Sequence, residues 1–226
     1  VDIPWGNNSY LLTGLGDLDT LQIRFRTAGT YAYNINYWYV DNVSIQLAPF
    51  WYVATTGSDA TGDGTYTNPF ATIQTAIDSS IDGDVVSVAA GTYVENIYID
   101  KNIAILGEDR ETTIIDGDSS GSVVTFSNSV NETALLSGFT ITNGSGLMED
   151  DPSNNWDNGL SKGGGIYLDE CSPILEQLII ENNTVSGGGG GISKSSQNSS
   201  LHISHSIIRN NTAKYAGAIH GQNGSS

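Results

Sequence analysis

Acidic residues cluster in one polar segment of the chain, residues 146–162. Glu149, Asp150 and Asp151 are consecutive, and Asp157 follows in the same segment. Because Ca²⁺ is bound by hard oxygen ligands, this group is a candidate calcium site. Its spacing does not match the EF-hand pattern. Ca²⁺ is therefore the one cofactor that the sequence suggests, and the alternative is an acidic loop surrounded by solvent.

The same segment contains Trp156 beside Asp157. Aromatic faces suit the apolar side of a sugar ring, so we take Trp156 and Asp157 as a candidate ligand site for glycans. The alternative is that Trp156 folds back and anchors its own loop. Since the segment is too long for a tight turn, we expect it to protrude from the fold, and protruding loops often carry binding.

Two other groups of polar residues are weaker candidates for a cation site. Asp59–Gly64 reads DATGDG, but Asp, Gly and Thr also form turns without any ion. His202 and His205 are three residues apart, so in a strand their side chains would point to opposite faces. Together with His220 they do not have the arrangement of a metal site, and surface histidines are the preferred interpretation.

The chain is strongly acidic. Its 226 residues contain 8 Lys and Arg against 25 Asp and Glu, a formal net charge of -17. Nucleic acids and anionic membranes require a basic surface, so neither is an expected partner. No apolar run approaches the ~20 residues of a membrane span. With Cys171 as its one cysteine, the chain has no intrachain disulfide.

A repeat predicts the elements that position these residues. Residues 175–184 read LEQLIIENNT and residues 203–212 read ISHSIIRNNT, aligned without a gap at an offset of 28 residues. Glycine runs ending in isoleucine precede both copies, and weaker copies begin at Ser137 and Ala216. Such a period predicts a β-solenoid, in which stacked coils bury a continuous core. The paired asparagines fall at equivalent turns, where they tolerate left-handed backbone.

Residues 1–48 differ from the repeat and predict a separate domain. The stretch WYVDNVSI, residues 38–45, resembles the closing strands of jelly-roll sandwiches in secreted carbohydrate-binding and MAM-like modules. A sandwich needs about seven strands and ~100 residues, so 48 residues form only part of one. The missing half would come from upstream sequence or from another chain.

Residues 49–226 are expected to form the solenoid domain. The pieces YVATTGSDATGDGT, NPFATIQTAID, GDVVSVAAGTYVENI and NIAILGEDRETTIIDG resemble the opening of secreted bacterial right-handed parallel β-helix proteins of the pectate-lyase-like superfamily. Apolar residues at helical spacing predict a short helix over Pro69–Ile81 that caps the first coil, with Ile73, Ala76, Ile77 and Ile81 buried. The first rung is expected at Val85–Ala89, followed by a turn at Gly91.

The resemblance implies polysaccharide lyases and glycoside hydrolases as possible activities. A lyase of this kind needs clustered calcium ligands with an Arg or Lys base, and a hydrolase needs two or three carboxylates at a defined separation. The repeated rungs contain no Asp-Asp pair, and no basic pair lies one coil away from an acidic cluster. The sequence therefore disfavours catalysis.

We accordingly predict a non-catalytic extracellular structural or adhesive protein, secreted or on the cell surface. Both ends of the chain are expected to be structurally open, which favours head-to-tail assembly of identical copies into a filament. The expected interface residues are Tyr37, Trp38 and Tyr39 in the N-terminal piece and Ile219 in the last coil. The alternatives are a carbohydrate-active β-helix enzyme and a glycan-binding module.

Overall fold

A computed structural model describes residues 50–127, 129–148, 159–195 and 200–221. All of them belong to the second of the two units into which the chain divides, Gln46–Ser226. The predicted partial sandwich at residues 1–48 lies outside the described residues. No helix in the described ranges is long and apolar enough to cross a membrane.

The described residues form one helix and 18 short strands. The helix is α1, Ile73–Ser79. The strands are β1 Phe50–Val53, β2 Val85–Val88, β3 Gly91–Val94, β4 Ile97–Ile99, β5 Ala104–Gly107, β6 Thr113–Asp116, β7 Val124–Phe126, β8 Leu135–Ser137, β9 Thr140–Thr142, β10 Leu147–Met148, β11 Ser161–Lys162, β12 Ile166–Leu168, β13 Ile174–Glu176, β14 Ile179–Glu181, β15 Ile192–Lys194, β16 His202–Ser204, β17 Ile207–Arg209 and β18 Ile219–Gly221.

The strands stack into three parallel sheets. Sheet I has the order β1-β2-β5-β8-β13-β16, sheet II β3-β6-β9-β14-β17 and sheet III β4-β7-β12-β15-β18. Coil one comprises β2, β3 and β4; coil two β5, β6 and β7; coil three β8, β9 and β12; coil four β13, β14 and β15; coil five β16, β17 and β18. Each coil thus gives one strand to every sheet. The predicted right-handed parallel β-helix is confirmed.

The core is a column of apolar side chains that point inward from all three sheets. In sheet II, Ile115, Ile141 and Ile180 lie directly above one another and have no exposed surface. Ile180 pairs in turn with Ile208, as the 28-residue repeat predicts. Each coil gives a sheet only three or four residues. A single coil cannot bury these side chains, so each coil depends on its neighbours.

Helix α1 closes the N-terminal end of the column, as predicted, but it is shorter than expected. Ile73, Ala76 and Ile77 are buried, whereas Ile81 is 69% exposed. The prediction for Ile81 was wrong because Ser80 ends the helix: its N–H and its hydroxyl both donate to the carbonyl of Ile77. Ile81 therefore leaves the helical spacing that would have placed it on the buried face.

Two further details of the first coils differ from expectation. Phe50–Val53 forms strand β1 and pairs with β2, so one rung precedes the predicted first rung. Gly91 starts strand β3 instead of forming a turn, and it pairs with Thr113. Four-residue strands that are rich in aromatic residues or contain glycine are too short for an alternation pattern to reveal, and only the stacking partner defines them.

Asparagines turn the chain between sheets II and III, as the repeat predicts. Asn182 and Asn210 have φ angles of 57° and 55°, in the left-handed region. Asn183 is fully buried, and its amide donates to Oδ1 of Asn211 in the next coil at 2.9 Å. The two amides lie at equivalent positions of successive coils. They therefore continue the hydrogen bonding between coils at the turn, beyond the ends of the strands.

Candidate functional site

Most of the site residues predicted from the sequence lie outside the described residues. They are Glu149, Asp150, Asp151, Trp156, Asp157, Tyr37, Trp38 and Tyr39. The calcium site, the glycan site in the inserted segment and the N-terminal interface therefore remain predictions. The base of the inserted segment is described: β10 and β11 pair antiparallel, with Leu147 opposite Lys162.

Ile219, the remaining interface residue, lies in β18 at the end of sheet III. It pairs with Ile192 of coil four and is 41% exposed. Its inward position matches that of the buried Ile192 and Ile166 in the preceding coils. Its role in an interface stays a prediction.

The DATGDG segment uses its acidic side chains to shape the chain locally. The Asp59 carboxylate accepts hydrogen bonds from the N–H groups of Ala71 and Thr72 and from the Thr72 hydroxyl. Partial burial opposes ionisation of Asp59, but these hydrogen bonds outweigh it and hold its pKa below the ordinary value. Asp63 accepts the N–H and hydroxyl of Thr65, which lower its pKa in the same way. Asp63 therefore stabilises its own turn, whereas Asp59 holds the residues that precede helix α1.

Acidic and histidine side chains do not gather into a metal site anywhere in the ranges that the structure describes. His205 lies 3.4 Å from the Glu176 carboxylate on the surface, and His202 is exposed in β16. Both are therefore surface residues, as predicted. The free thiol of Cys171 is buried, and this burial raises its pKa to about 12, so the thiol is chemically inert at neutral pH.

An aromatic groove lies on the outer face of sheet I at its N-terminal end. Tyr52 follows the outward direction of β1, because its neighbour Val53 points into the core and is 1% exposed. The ring of Tyr66 meets that of Tyr52 edge-on, with centroids 5.4 Å apart. Phe50 stacks on the other side of Tyr52 at 6.0 Å. Tyr66 is 79% exposed, so the group presents aromatic surface to solvent.

Two adjoining depressions make up the groove, with volumes of about 540 and 370 Å³. Tyr66, Pro69, Ala54 and Ala89 line both of them. The larger depression is rich in hydroxyl and amide groups, which belong to Thr56, Ser58, Thr61, Thr67 and Asn68. A concave surface of aromatic and apolar carbon with several polar groups has the general character of a ligand site.

The smaller depression extends over three rungs of sheet I. Tyr52 of β1 pairs with Ser87 of β2, which pairs with Leu106 of β5. Glu108 follows β5, and its N–H donates to the carbonyl of Val88 at 2.9 Å. Its carboxylate accepts a hydrogen bond from the N–H of Ala90 through Oε2 at 3.0 Å. Stacked rungs therefore fix the position of one acidic side chain in the wall of the groove.

The loop between β1 and α1 supplies the other wall, and its fold depends on close backbone packing. Gly64 has a φ of 75°, and a Cβ there would lie 2.6 Å from Cε3 of Trp51. The Trp51 and Phe70 rings stack at 6.0 Å beneath it, and Trp51 Nε1 donates to the Asp84 carboxylate at 2.8 Å. Glycine is thus required at 64, and the loop is held where Tyr66 can reach Tyr52.

Sequence reasoning missed this groove. Tyr66 and Glu108 are far apart in the chain, and each has the neighbours expected of an ordinary turn. The only available signal was the aromatic content of the stretch FWYV at residues 50–53, which lies at the start of the predicted solenoid domain. Stacking of β1 on β2 and β5 places Tyr52, Tyr66 and Glu108 around one groove.

No protein-family model matches the chain, and none of the curated proteins matches it. Similar solved structures include three pectin methylesterases. One, in complex with a hexasaccharide, has a TM-score of 0.42 at 18% identity and is matched over 70% of this chain and 50% of its own. That from Erwinia chrysanthemi has a TM-score of 0.41 at 18% identity, with coverages of 76% and 54%.

The pectin methylesterase from carrot has a TM-score of 0.43 at 14% identity, and the match covers 80% of this chain and 66% of that one. The chain therefore spans about half to two thirds of the length of these neighbours. The strand order and register of the protein itself define its fold.

Proposed function

We propose that the β-helix binds a polysaccharide chain in the groove formed by Tyr52, Tyr66 and Glu108. This is the glycan-binding alternative among the functions predicted from the sequence. The groove lies on regular strands along one wall and on a well-packed loop along the other, so its shape exists before a ligand binds. A preformed site loses less conformational entropy on binding than a flexible one.

The observation that carries the proposal is the exposed aromatic platform. Tyr66 has four fifths of its surface in solvent, at 79%, although its ring is positioned by the edge contact with Tyr52. Leaving a large aromatic side chain exposed forgoes the free energy gained by burying it. A sugar ring laid against Tyr66 would recover that gain, since the C–H face of the sugar is apolar.

The polar lining supports the same ligand class. Hydroxyl groups of Ser58 and Thr61 hydrogen-bond each other at 3.0 Å, and Asn68 Nδ2 donates to the carbonyl of Thr61 at 2.9 Å. Hydroxyls both donate and accept, so they suit the hydroxyl groups of a sugar. Their oxygen atoms keep further lone pairs, which an apolar ligand would cover without supplying a donor, and that costs binding free energy.

The lining supports binding without cleavage. Hydrolysis of a glycosidic bond by the usual route uses a pair of carboxylates, one on each side of the scissile bond. Among the described residues that line the groove, Glu108 is the one carboxylate. The pectin methylesterases that the chain is similar to in fold act on pectin, and a pectin-like polymer is therefore included in the experiment below.

Nothing in the described residues supports head-to-tail assembly into a filament, so the proposal does not include it. An extracellular setting, where a polysaccharide would be met, belongs to the proposal. Calcium binding by Glu149, Asp150 and Asp151 remains a prediction, independent of the groove.

Calorimetric titration with a panel of six-residue oligosaccharides tests the proposal. The panel contains glucose, xylose, mannose, N-acetylglucosamine and galacturonate oligomers. Tyr66→Ala is expected to weaken the best ligand by about two- to tenfold, the value of one aromatic contact. Tyr98→Ala is the matched control, because Tyr98 is 51% exposed but lies on the outer face of sheet III.

Two results would contradict glycan binding by the groove. One is that no oligosaccharide of the panel binds the intact protein. The other is that Tyr98→Ala weakens binding as much as Tyr66→Ala, which would place the contact elsewhere on the surface.

A further inference from the structure

We infer that the groove prefers glycans that carry free amino groups and disfavours those that carry carboxylates. The inference rests on the proposed function and adds the charge of the ligand to it. Its basis is the charge of the lining: Glu108 is acidic, and none of the other described lining residues is Lys, Arg, His, Asp or Glu.

The cation nearest to Glu108 in the chain is turned away from the groove. Arg110 follows two residues later, but its guanidinium donates to the carbonyl of His205 at 2.8 Å, in coil five. Its Nε also lies 3.7 Å from the Glu111 carboxylate. Arg110 is therefore engaged by coil five and by Glu111 of its own loop, and Glu108 faces the groove with no ion pair to a described residue.

The Glu108 carboxylate is fixed on one side and accessible on the other. Oε2 accepts the Ala90 N–H at 3.0 Å, which orients the carboxylate along the groove wall. The side chain is exposed, so a ligand can reach it. An ammonium group on a sugar would form a charge-assisted hydrogen bond there.

A uronic acid polymer would meet the opposite situation. Its carboxylates would approach Glu108 with like charge, and the formal charge of -17 on the whole chain adds a repulsive field. No lysine or arginine in the described lining offers compensation. The acidity of the chain then contributes to the selectivity of the groove against anionic glycans.

Three six-residue oligosaccharides of matched length test the inference by calorimetry at mildly acidic pH and about 0.15 M salt. They are the glucosamine oligomer, its N-acetylated form, which has the same backbone without the charge, and the galacturonate oligomer. An exposed ion pair is expected to favour glucosamine over the N-acetylated form by about two- to fivefold. Galacturonate is expected to bind more weakly than both.

Glu108→Gln and Glu111→Gln separate a local contact from general attraction to an acidic protein. Both remove one negative charge from the same loop, but Glu111 is not part of the groove. Glu108→Gln is expected to abolish the difference between glucosamine and N-acetylglucosamine, and Glu111→Gln to preserve it.

The outcomes distinguish this inference from the proposed function. If the N-acetylated oligomer binds as tightly as glucosamine, or if both variants change the ratio equally, the charge preference is overturned while glycan binding stands. If none of the three oligomers, nor any neutral member of the larger panel, binds, glycan binding itself is overturned.

Discussion

The two ends of the β-helix are built on one core but differ at the surface. In coils four and five, the segment 175–184 is repeated by the segment 203–212, and the turns are joined by Asn183 and Asn211. In the first coils, the loop before α1 and the residues after β5 interrupt the regular outline and line the open groove. Inside, one column of sheet II runs through Ile115, Ile141, Ile180 and Ile208, and Tyr93 takes the equivalent position in coil one.

This difference indicates how the protein separates stability from recognition. The C-terminal coils join their turns through neutral amides such as Asn183 and Asn211, and their sequence and surface repeat from one coil to the next. The N-terminal rungs carry loops that are long enough to fold over the sheet face. Function is therefore expected where the repeat is least regular, as is common for loops on a rigid scaffold.

The largest effect is expected from breaking the part that the two regions share. Ile180→Ala in coil four and Ile115→Ala in coil two each create a cavity in the same column, and both side chains are fully buried. We expect each to lower the free energy of unfolding by about 2–5 kcal/mol, measured by urea denaturation.

Ile174→Ala is the control for these core variants, since Ile174 belongs to coil four but is 37% exposed on the outer face. Its cost should be about 0.5 kcal/mol or less. A cost at Ile115 far below that at Ile180 would mean that the first coils do not share the column.

A smaller effect is expected from Asn183, whose buried amide links coil four to its neighbours. Asn183→Ala removes the acceptor of the Gly144 N–H and the donor to Asn211 in a buried site. We expect a loss of about 1–3 kcal/mol by thermal or urea unfolding. Asn182→Gly should change stability by about 0.5 kcal/mol or less, because its exposed left-handed backbone suits glycine. Equal losses of stability for Asn183→Ala and Asn182→Gly would contradict a stabilising role for the Asn183–Asn211 hydrogen bond.

The sequence predicted the core more fully than the groove for a physical reason. Inward residues such as Ile180 and Ile208 repeat at a fixed offset because stacking imposes that offset on the chain. The groove has no period: Tyr66 belongs to one loop and Glu108 to another, and they line the same groove only after β1, β2 and β5 stack. The apolar spacing did not predict the end of α1, because the helix is ended by two hydrogen bonds from Ser80, through its hydroxyl and its N–H, to the carbonyl of Ile77.

The smallest effect is a pH dependence confined to the N-terminal region. Glu95 accepts the N–H groups of Ile73 and Gln74 at the start of α1. Burial raises the pKa of Glu95 above its ordinary value, and these hydrogen bonds only partly oppose the rise. The folded state then binds the proton more tightly than the unfolded state, so stability falls as pH rises from the ordinary value through the folded pKa.

Glu95→Gln, which has no proton to lose, should abolish this component, and urea denaturation across the acidic range measures it. Asp59 acts in the opposite direction: because its folded pKa is lowered, its contribution is present above its ordinary value and lost as pH falls through the folded value. A pH dependence of wild type and Glu95→Gln that runs in parallel through that range would contradict the assignment.

Hydrogen–deuterium exchange, with and without the tightest oligosaccharide of the panel, tests most directly whether recognition belongs to the N-terminal rungs. Ligand is expected to slow exchange in residues 52–68 and 87–108, which line the groove, and to leave residues 174–194 and 202–209 unchanged. Slowed exchange in the C-terminal coils, with no change around Tyr66 and Glu108, would contradict the account.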